Sequence, residues 1–297
     1  MKTAELTLLQ QGEGYPLPQD VLPIVPPSLE REDLREWRSH PLPENRTLPF
    51  WDATSHQLHK TTFFQQATPR EKWLIRQALS QHLLTEIYCL KQIGREYMGK
   101  MARLSPTSEE QVQYTLFCAD ETYHLTQLRK FFHPPEHLGM EYLWFRLLQN
   151  TIRQEEQPLL LFVIQVFLKG WTVTYYQQLI RECCHHQFAQ ILTGFLPQES
   201  FYHITGITRY KQQGEPYKDL PRLTAIMTDL LALMEWTPHP VLAIAEQMTG
   251  YLTPRQKQQL QAELNLPHYH QERWRRMGFL LGKEKSGILL SLAHNSF

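Results

Sequence analysis

The chain has 297 residues, of which 42% are hydrophobic and 20% charged, and its 30 basic and 30 acidic side chains cancel to a formal net charge of zero. This balance argues against a nucleic-acid-binding surface and against attraction to an anionic membrane, so we expect neither nucleic acid nor a membrane as a partner. The length is sufficient to bury a large core in one big or two modest domains.

The first predicted segment is rich in proline. Residues 1–50 hold eight of the twenty prolines, and this composition predicts an extended arm with one short helix at about 28–39. An arm of this kind normally wraps over a core. We therefore assign residues 1–60 to a Pro-rich N-terminal arm.

Strong helical signals begin near residue 68. Residues 68–71 read Thr-Pro-Arg-Glu, which is the pattern of a capping box with proline at the first helical position. They predict a helix that runs to about Leu104. Thr107 and Glu110 repeat the box and predict a second helix, which ends near His133.

The remaining elements are also predicted to be helical. Pro197 is expected to kink or locally break the helix that contains it. The helices give an all-α, up-down bundle over 61–215, with extra C-terminal helices in 216–297 that pack on it. Their predicted ranges are 138–153, 155–183, 185–213, 220–235, 238–248 and 253–264.

Two further features bear on where the protein is found. The longest apolar run, Leu159 to Leu168, is too short to span a bilayer. The cysteines include no C-x-x-C pair, so we expect buried free thiols in a reducing, cytoplasmic environment. They are Cys89, Cys118, Cys183 and Cys184.

Three residues on the first two long helices predict half of a metal site. Glu121 and His124 lie three residues apart and so share one helix face. Glu86 lies 35 residues upstream, within an apolar stripe. Buried carboxylates that face one core need a counter-charge, and carboxylate with imidazole suits iron or manganese. A carboxylate on one helix and Glu-x-x-His on the next is half of a four-helix-bundle ligand set.

The fourth long helix predicts an altered second half of the site. Glu199 and His203 have i, i+4 spacing, which can hold one metal ion from a single helix face. The positions expected for two further carboxylates are occupied by Gln165 and Ser200. We expect these two residues, together with His82, to lie around the ligands, and Gln165 is also a candidate ligand.

At these residues the chain resembles the ferritin-like di-iron carboxylate superfamily, and it is most similar to the p-aminobenzoate N-oxygenase-type branch. The resemblance covers roughly 60–210 and rests on the Glu86-to-Glu121 step, the D-E-x-x-H form of residues 120–124 and the Thr-Pro opening at 68. It implies a ferritin-like bundle with two irons, in which Glu86, Glu121 and His124 hold much of the first metal. The second half departs from the family pattern.

The resemblance implies an O2-dependent non-haem di-iron oxidase or oxygenase of specialised metabolism. An iron–manganese pair or a single metal is also compatible with the altered ligand set. Aromatic residues in the bundle suit a small, largely apolar metabolite, and N-oxygenation, hydroxylation, desaturation and halogenation all remain open. Because no flavin, nicotinamide or iron–sulfur motif appears, the electron donor is expected to be external.

Two alternatives also remain open from the sequence. A ferritin-like chain that has lost its metal could act as a binding or assembly partner. A mononuclear or metal-independent enzyme could use the same pocket. Homodimers are common among such bundles, so a second copy of the chain is a candidate partner.

Overall fold

The described part of the chain is built from helices. The computed structural model describes residues 49–135, 142–212, 220–236, 239–250 and 252–265. Within these ranges there is no β-strand, only an isolated antiparallel bridge between Trp51 and Cys183. The all-α prediction is confirmed. The helix predicted at about 28–39 lies outside the described residues.

The first two long helices begin at the predicted caps. Helix α1 spans Pro69–Leu104, and both halves of its capping box form: Glu71 N donates to Thr68 Oγ1 at 3.3 Å, and Thr68 N donates to the Glu71 carboxylate at 2.8 Å. Helix α2 spans Ser108–Leu128 and starts at the second predicted cap. Each cap satisfies an N–H group that would otherwise lack a partner, which typically stabilises a helix by about 1 kcal/mol.

The other helices follow the predicted order. Helix α4 contains a π-helical stretch at Leu161–Leu168, and α5 remains helical through Pro197. The ranges are α3 Leu143–Gln154, α4 Gln157–Glu182, α5 His186–Gln212, α6 Leu220–Trp236, α7 Pro240–Thr249 and α8 Pro254–Glu263.

The long helices form two hairpins that share one interior. Helix α1 packs against α2, α4 packs against α5, and α2 contacts α5. Helix α3 and helix α7 pack on α1. This arrangement brings side chains from α1, α2, α4 and α5 to one region of the core.

The segment before α1 contains features that the sequence did not predict. A short 3-10 helix at Ser55–Lys60 and an α-helical turn at Thr62–Gln65 lie there. Trp51 is fully buried, and its indole Nε1 donates to Leu179 O at 3.0 Å. This contact ties the segment to the end of α4.

Helix α4 and the cysteines bear on the predictions about membrane spanning and free thiols. Among the described residues, α4 alone has the length and hydropathy of a membrane span, but 89% of its most apolar window is buried inside the protein, as in the core helix of a soluble protein. The cysteines are free, as predicted. Cys89 is buried, whereas Cys184 is exposed, so the expectation of burial holds only in part.

Candidate functional site

Two lysines and two glutamates meet in the interior of the bundle. Lys91 of α1 forms an ion pair with Glu199 of α5, and its Nζ lies 3.0 Å from His124 Nδ1 and 3.4 Å from Glu121 Oε2. Lys169 of α4 forms an ion pair with Glu121 of α2, and its Nζ lies 3.0 Å from Glu199 Oε2. The charged side chains are at most 3% exposed. We call the two lysines, the two glutamates and His124 the Lys–Glu cluster.

The register of the two hairpins explains why these residues meet. Around the turn at residue 105, Lys91 lies 14 positions before and Glu121 lies 16 positions after. Around the turn at residue 184, Lys169 and Glu199 each lie 15 positions away. Since an α-helix rises about 1.5 Å per residue, each hairpin places one lysine and one glutamate at nearly the same level.

Two glycines leave room for the polar side chains. A β-carbon on Gly94 would lie 2.5 Å from Glu121 Oε1 and 2.9 Å from Lys169 Nζ. A β-carbon on Gly170 would lie 2.6 Å from the His203 ring carbon Cε1. Any larger residue at Gly94 would therefore have to displace the ion pair.

The charges of the cluster stabilise one another. Burial raises the pKa of Glu121, but the nearby Lys169 and Lys91 ammonium groups outweigh burial and hold that pKa well below its usual range. Burial lowers the pKa of Lys169, but Glu121 and Glu199 outweigh burial and raise it. For His124, burial dominates and the pKa is lowered. These shifts favour the charged forms of Glu121 and Lys169 and the neutral form of the His124 imidazole.

Aromatic rings pack against the cluster. The His124 ring lies 4.0 Å from the Phe195 ring, centroid to centroid. Lys91 Nζ lies 4.7 Å from the Phe195 centroid and 5.3 Å from that of Tyr176. Ammonium groups over ring faces gain cation–π attraction, which is larger where water is excluded. These contacts help to hold a lysine in an interior where it would otherwise be costly.

Three of the five predicted metal ligands come together. Glu121, His124 and Glu199 each offer one ligand atom, and these atoms lie within 4.8 Å of one another. All three residues are buried. The group could therefore bind a metal ion.

Two residues of α1 that the sequence suggested for the site lie outside this group. Glu86 accepts a hydrogen bond from the Tyr175 hydroxyl at 2.5 Å. His82 stacks on Tyr142, with 5.5 Å between ring centroids. At the level of Glu121, α1 presents Lys91 instead of a carboxylate.

The remaining predicted site residues form a second polar region beside the cluster. His203 Nδ1 lies 3.4 Å from the Gln165 carbonyl oxygen. The Gln165 side-chain oxygen accepts hydrogen bonds from Tyr97 at 2.7 Å and Tyr114 at 2.9 Å. Ser200 donates back to a carbonyl of its own helix at 2.9 Å. Gln165 is thus an amide that organises tyrosines, and Ser200 bonds only to the backbone of its own helix in the contacts described.

Sequence reasoning missed the two lysines, although the sequence contains a signal for Lys91. A charged residue within a buried helical stripe requires a partner in the core, and Lys91 continues such a stripe. Lys169 directly follows the longest apolar run, where it looks like the polar end of that run. The other buried members of the Lys91 stripe are Leu84, Ile87, Gly94 and Met98.

The donor set differs from the iron centre that the resemblance implies. One carboxylate oxygen of the cluster, Glu121 Oε2, accepts no hydrogen bond, although Lys91 Nζ lies 3.4 Å from it. The negative charges of the two glutamates are already compensated, because each carboxylate contacts an ammonium group. Two irons do not fit these residues. One metal ion could use the three ligand atoms only if an ammonium group moved away.

Comparison of the chain with protein-family models, with curated proteins and with solved structures finds no match. The interpretation of the site therefore depends on its own geometry.

Proposed function

We propose that this chain is a helical-bundle protein of the ferritin-like type in which ion pairs replace the metal centre. We further propose that it acts as a binding or assembly partner and not as an oxygenase. The observation that carries the proposal is the position of the two ammonium groups. Lys91 and Lys169 lie against Glu121 and Glu199, where the resemblance implies metal cations.

The charge balance of the Lys–Glu cluster supports this proposal. Its two lysines and two glutamates cancel, so the buried site is neutral as it stands. Two unit charges about 4 Å apart interact by roughly 4 kcal/mol at an effective dielectric constant of about 20. A divalent cation beside an ammonium group would therefore meet a repulsion on the order of 8 kcal/mol before any ligand bond formed. This repulsion offsets the attraction of one carboxylate, so the neutral cluster offers a divalent cation no net Coulomb attraction.

An O2-dependent oxidase is the second candidate, and one observation favours it. The ligand atoms of Glu121, His124 and Glu199 lie close enough to bind one metal ion. Iron is the metal that the resemblance favours. Such an enzyme would need a small, largely apolar substrate, O2 and an external electron donor. A cytoplasmic location is part of both proposals.

Metal analysis of the full-length protein separates the two candidates. The chain would be produced in medium supplemented with iron and manganese, reconstituted anaerobically with Fe²⁺, and measured by inductively coupled plasma mass spectrometry. We expect far less than one metal ion per chain. One or two irons per chain, with O2 consumption once a reductant is added, would overturn the proposal.

A charge-reversed variant provides the positive control. Lys91→Glu combined with Lys169→Glu gives the cluster four carboxylates and removes both ammonium groups, so it should bind metal and gain thermal stability when Fe²⁺ is added. The matched control is Lys130→Glu with Lys211→Glu, which makes the same change at two exposed positions. That control should bind no more metal than the unmodified protein.

A further inference from the structure

The outward faces of α2 and α5 expose large hydrophobic side chains. Five of the six large hydrophobic residues that are exposed in the described ranges lie on these two helices, with 53–61% of each accessible. Most other large hydrophobic residues in those ranges are buried. The five are Val112, Leu116, Tyr123, Phe201 and Ile204.

The two helices present these residues on one continuous surface. Helices α2 and α5 run antiparallel, since Arg209 pairs with Glu110 at one end and Phe195 stacks on His124 towards the other. Between them, the Phe117 ring lies 5.7 Å from that of Phe201, centroid to centroid. Phe201 therefore lies on the side of α5 that adjoins α2. We call the exposed positions of 111–126 and 193–208 the α2–α5 face.

The α2–α5 face carries no charged residue at an exposed position. Solvated helix faces normally alternate charges of both signs, and apolar patches without charge mark interaction sites. This lack of exposed charge differs from the composition of the whole chain, in which one residue in five is charged. The exposed positions are Gln111, Val112, Thr115, Leu116, Ala119, Thr122, Tyr123 and Thr126 on α2, and Thr193, Gly194, Pro197, Phe201, Ile204 and Thr208 on α5.

We propose that the α2–α5 face binds a second copy of this chain, with α2 antiparallel to its counterpart across a two-fold axis. In a two-fold dimer a surface meets itself, so it must not repel its own copy. An uncharged face meets this condition. The ends of α2 add complementarity, because Glu109 is exposed at one end and Lys130 at the other. Antiparallel packing places the acidic end of one copy beside the basic end of its partner.

The size of the face fits a small specific interface. Sixteen residues of helix extend about 24 Å, and two adjacent helices are about 20 Å wide. The projected area is therefore roughly 500 Å² per copy, and the corrugated side-chain surface is larger. Specific interfaces start at about 600 Å² per partner. We therefore expect a dimer that dissociates on dilution rather than a permanent one.

Oligomeric mass tests this proposal on the full chain. Sedimentation velocity and light scattering across a concentration series should give a mass approaching twice 35.3 kDa for the unmodified protein. Leu116→Glu should weaken association on the order of 100-fold, because each dimer would bury two like charges at its centre. The matched control is Leu104→Glu, an exposed leucine outside the face, which should leave the mass unchanged.

A mixing experiment identifies the partner as a second copy. Leu116→Glu and Leu116→Lys should each be monomeric alone, and their equimolar mixture should form a heterodimer with opposite charges at the interface. A monomeric unmodified protein at the highest concentration would overturn the proposal, and so would a Leu116→Glu dimer as tight as the original. This inference is independent of the metal analysis, since neither result changes the expected mass.

Discussion

Removing one lysine from the Lys–Glu cluster tests whether ion pairs hold it together. Lys169→Met keeps most of the side-chain volume and removes the ammonium group that contacts both Glu121 and Glu199. The two carboxylates would then share the single ammonium group of Lys91. Breaking a buried pair by deleting one partner typically costs about 3–5 kcal/mol. We expect Lys169→Met to lose stability in this range in urea unfolding monitored by circular dichroism.

The pH dependence of this variant should be opposite in sign to that of the unmodified protein. In the unmodified protein the pKa of Glu121 is depressed, so its stabilising contribution is present above the unfolded-state pKa and is lost as the pH falls. In Lys169→Met, an undercompensated buried carboxyl should have a raised pKa and take up a proton in the folded state. The variant should therefore become more stable as the pH falls from 8 towards about 6.5, a range above that in which imidazoles of the unfolded chain take up protons.

A second substitution separates charge from packing. Lys169→Met with Glu121→Gln removes one charge of each sign, and neutral replacement of a whole pair is often tolerated. The double variant should recover roughly 2 kcal/mol relative to Lys169→Met alone, as a coupling energy between contacting residues. Lys130→Met provides the exposed control and should change stability by less than about 0.5 kcal/mol. If Lys169→Met stays within about 1 kcal/mol of the unmodified protein, the ion pairs do not stabilise this core and the reasoning fails.

Two further predictions concern the space and the protons of the cluster. Gly94→Ala should destabilise the protein by about 2 kcal/mol or more, because its β-carbon would clash with Glu121. Gly99→Ala in the same helix should stabilise the protein by about 0.5–1 kcal/mol, because the nearest neighbour of its β-carbon would be 3.7 Å away. Equal effects of the two substitutions in thermal unfolding would contradict this prediction. Burial lowers the pKa of His124 and of His203, so the unfolded state should bind protons that the folded state does not. Stability should therefore fall as the pH drops below about 6.5, by up to about 1.4 kcal/mol per pH unit for each imidazole, and a flat profile in urea titrations from pH 7 to 5 would refute it.

Local sequence signals were sufficient for most of the helical architecture. The Thr-Pro-Arg-Glu box at 68–71 fixes the start of α1, and the structure ends that helix at Leu104, as predicted. Capping signals work because they describe hydrogen bonds between residues three apart. Helix α2 ends at Leu128, earlier than the prediction of His133. The end of the helix was predicted less well than its start because no local signal fixes a C-terminal boundary as firmly as a cap fixes an N-terminal one.

The site was harder to predict because it depends on register between helices. The sequence predicted Glu86 as the partner of Glu121 on α1, but the structure presents Lys91 at the level of Glu121. The offset of five residues is about 7.5 Å along a helix, which is enough to replace one side chain by another. Glu121 and His124 were identified correctly as interior residues because their spacing is local to one helix.

The composition of the cluster suggests why its carboxylates and imidazoles remain in the core. A lone Glu121 in this core would be costly, and so would a lone Lys169, but the two together are neutral and hydrogen-bonded. The same holds for Lys91 with Glu199. Each hairpin supplies one charge of each sign, and the Lys91–Glu199 and Lys169–Glu121 pairs join the two hairpins. We infer that these two pairs help to fix how the hairpins dock, a structural role that requires no metal.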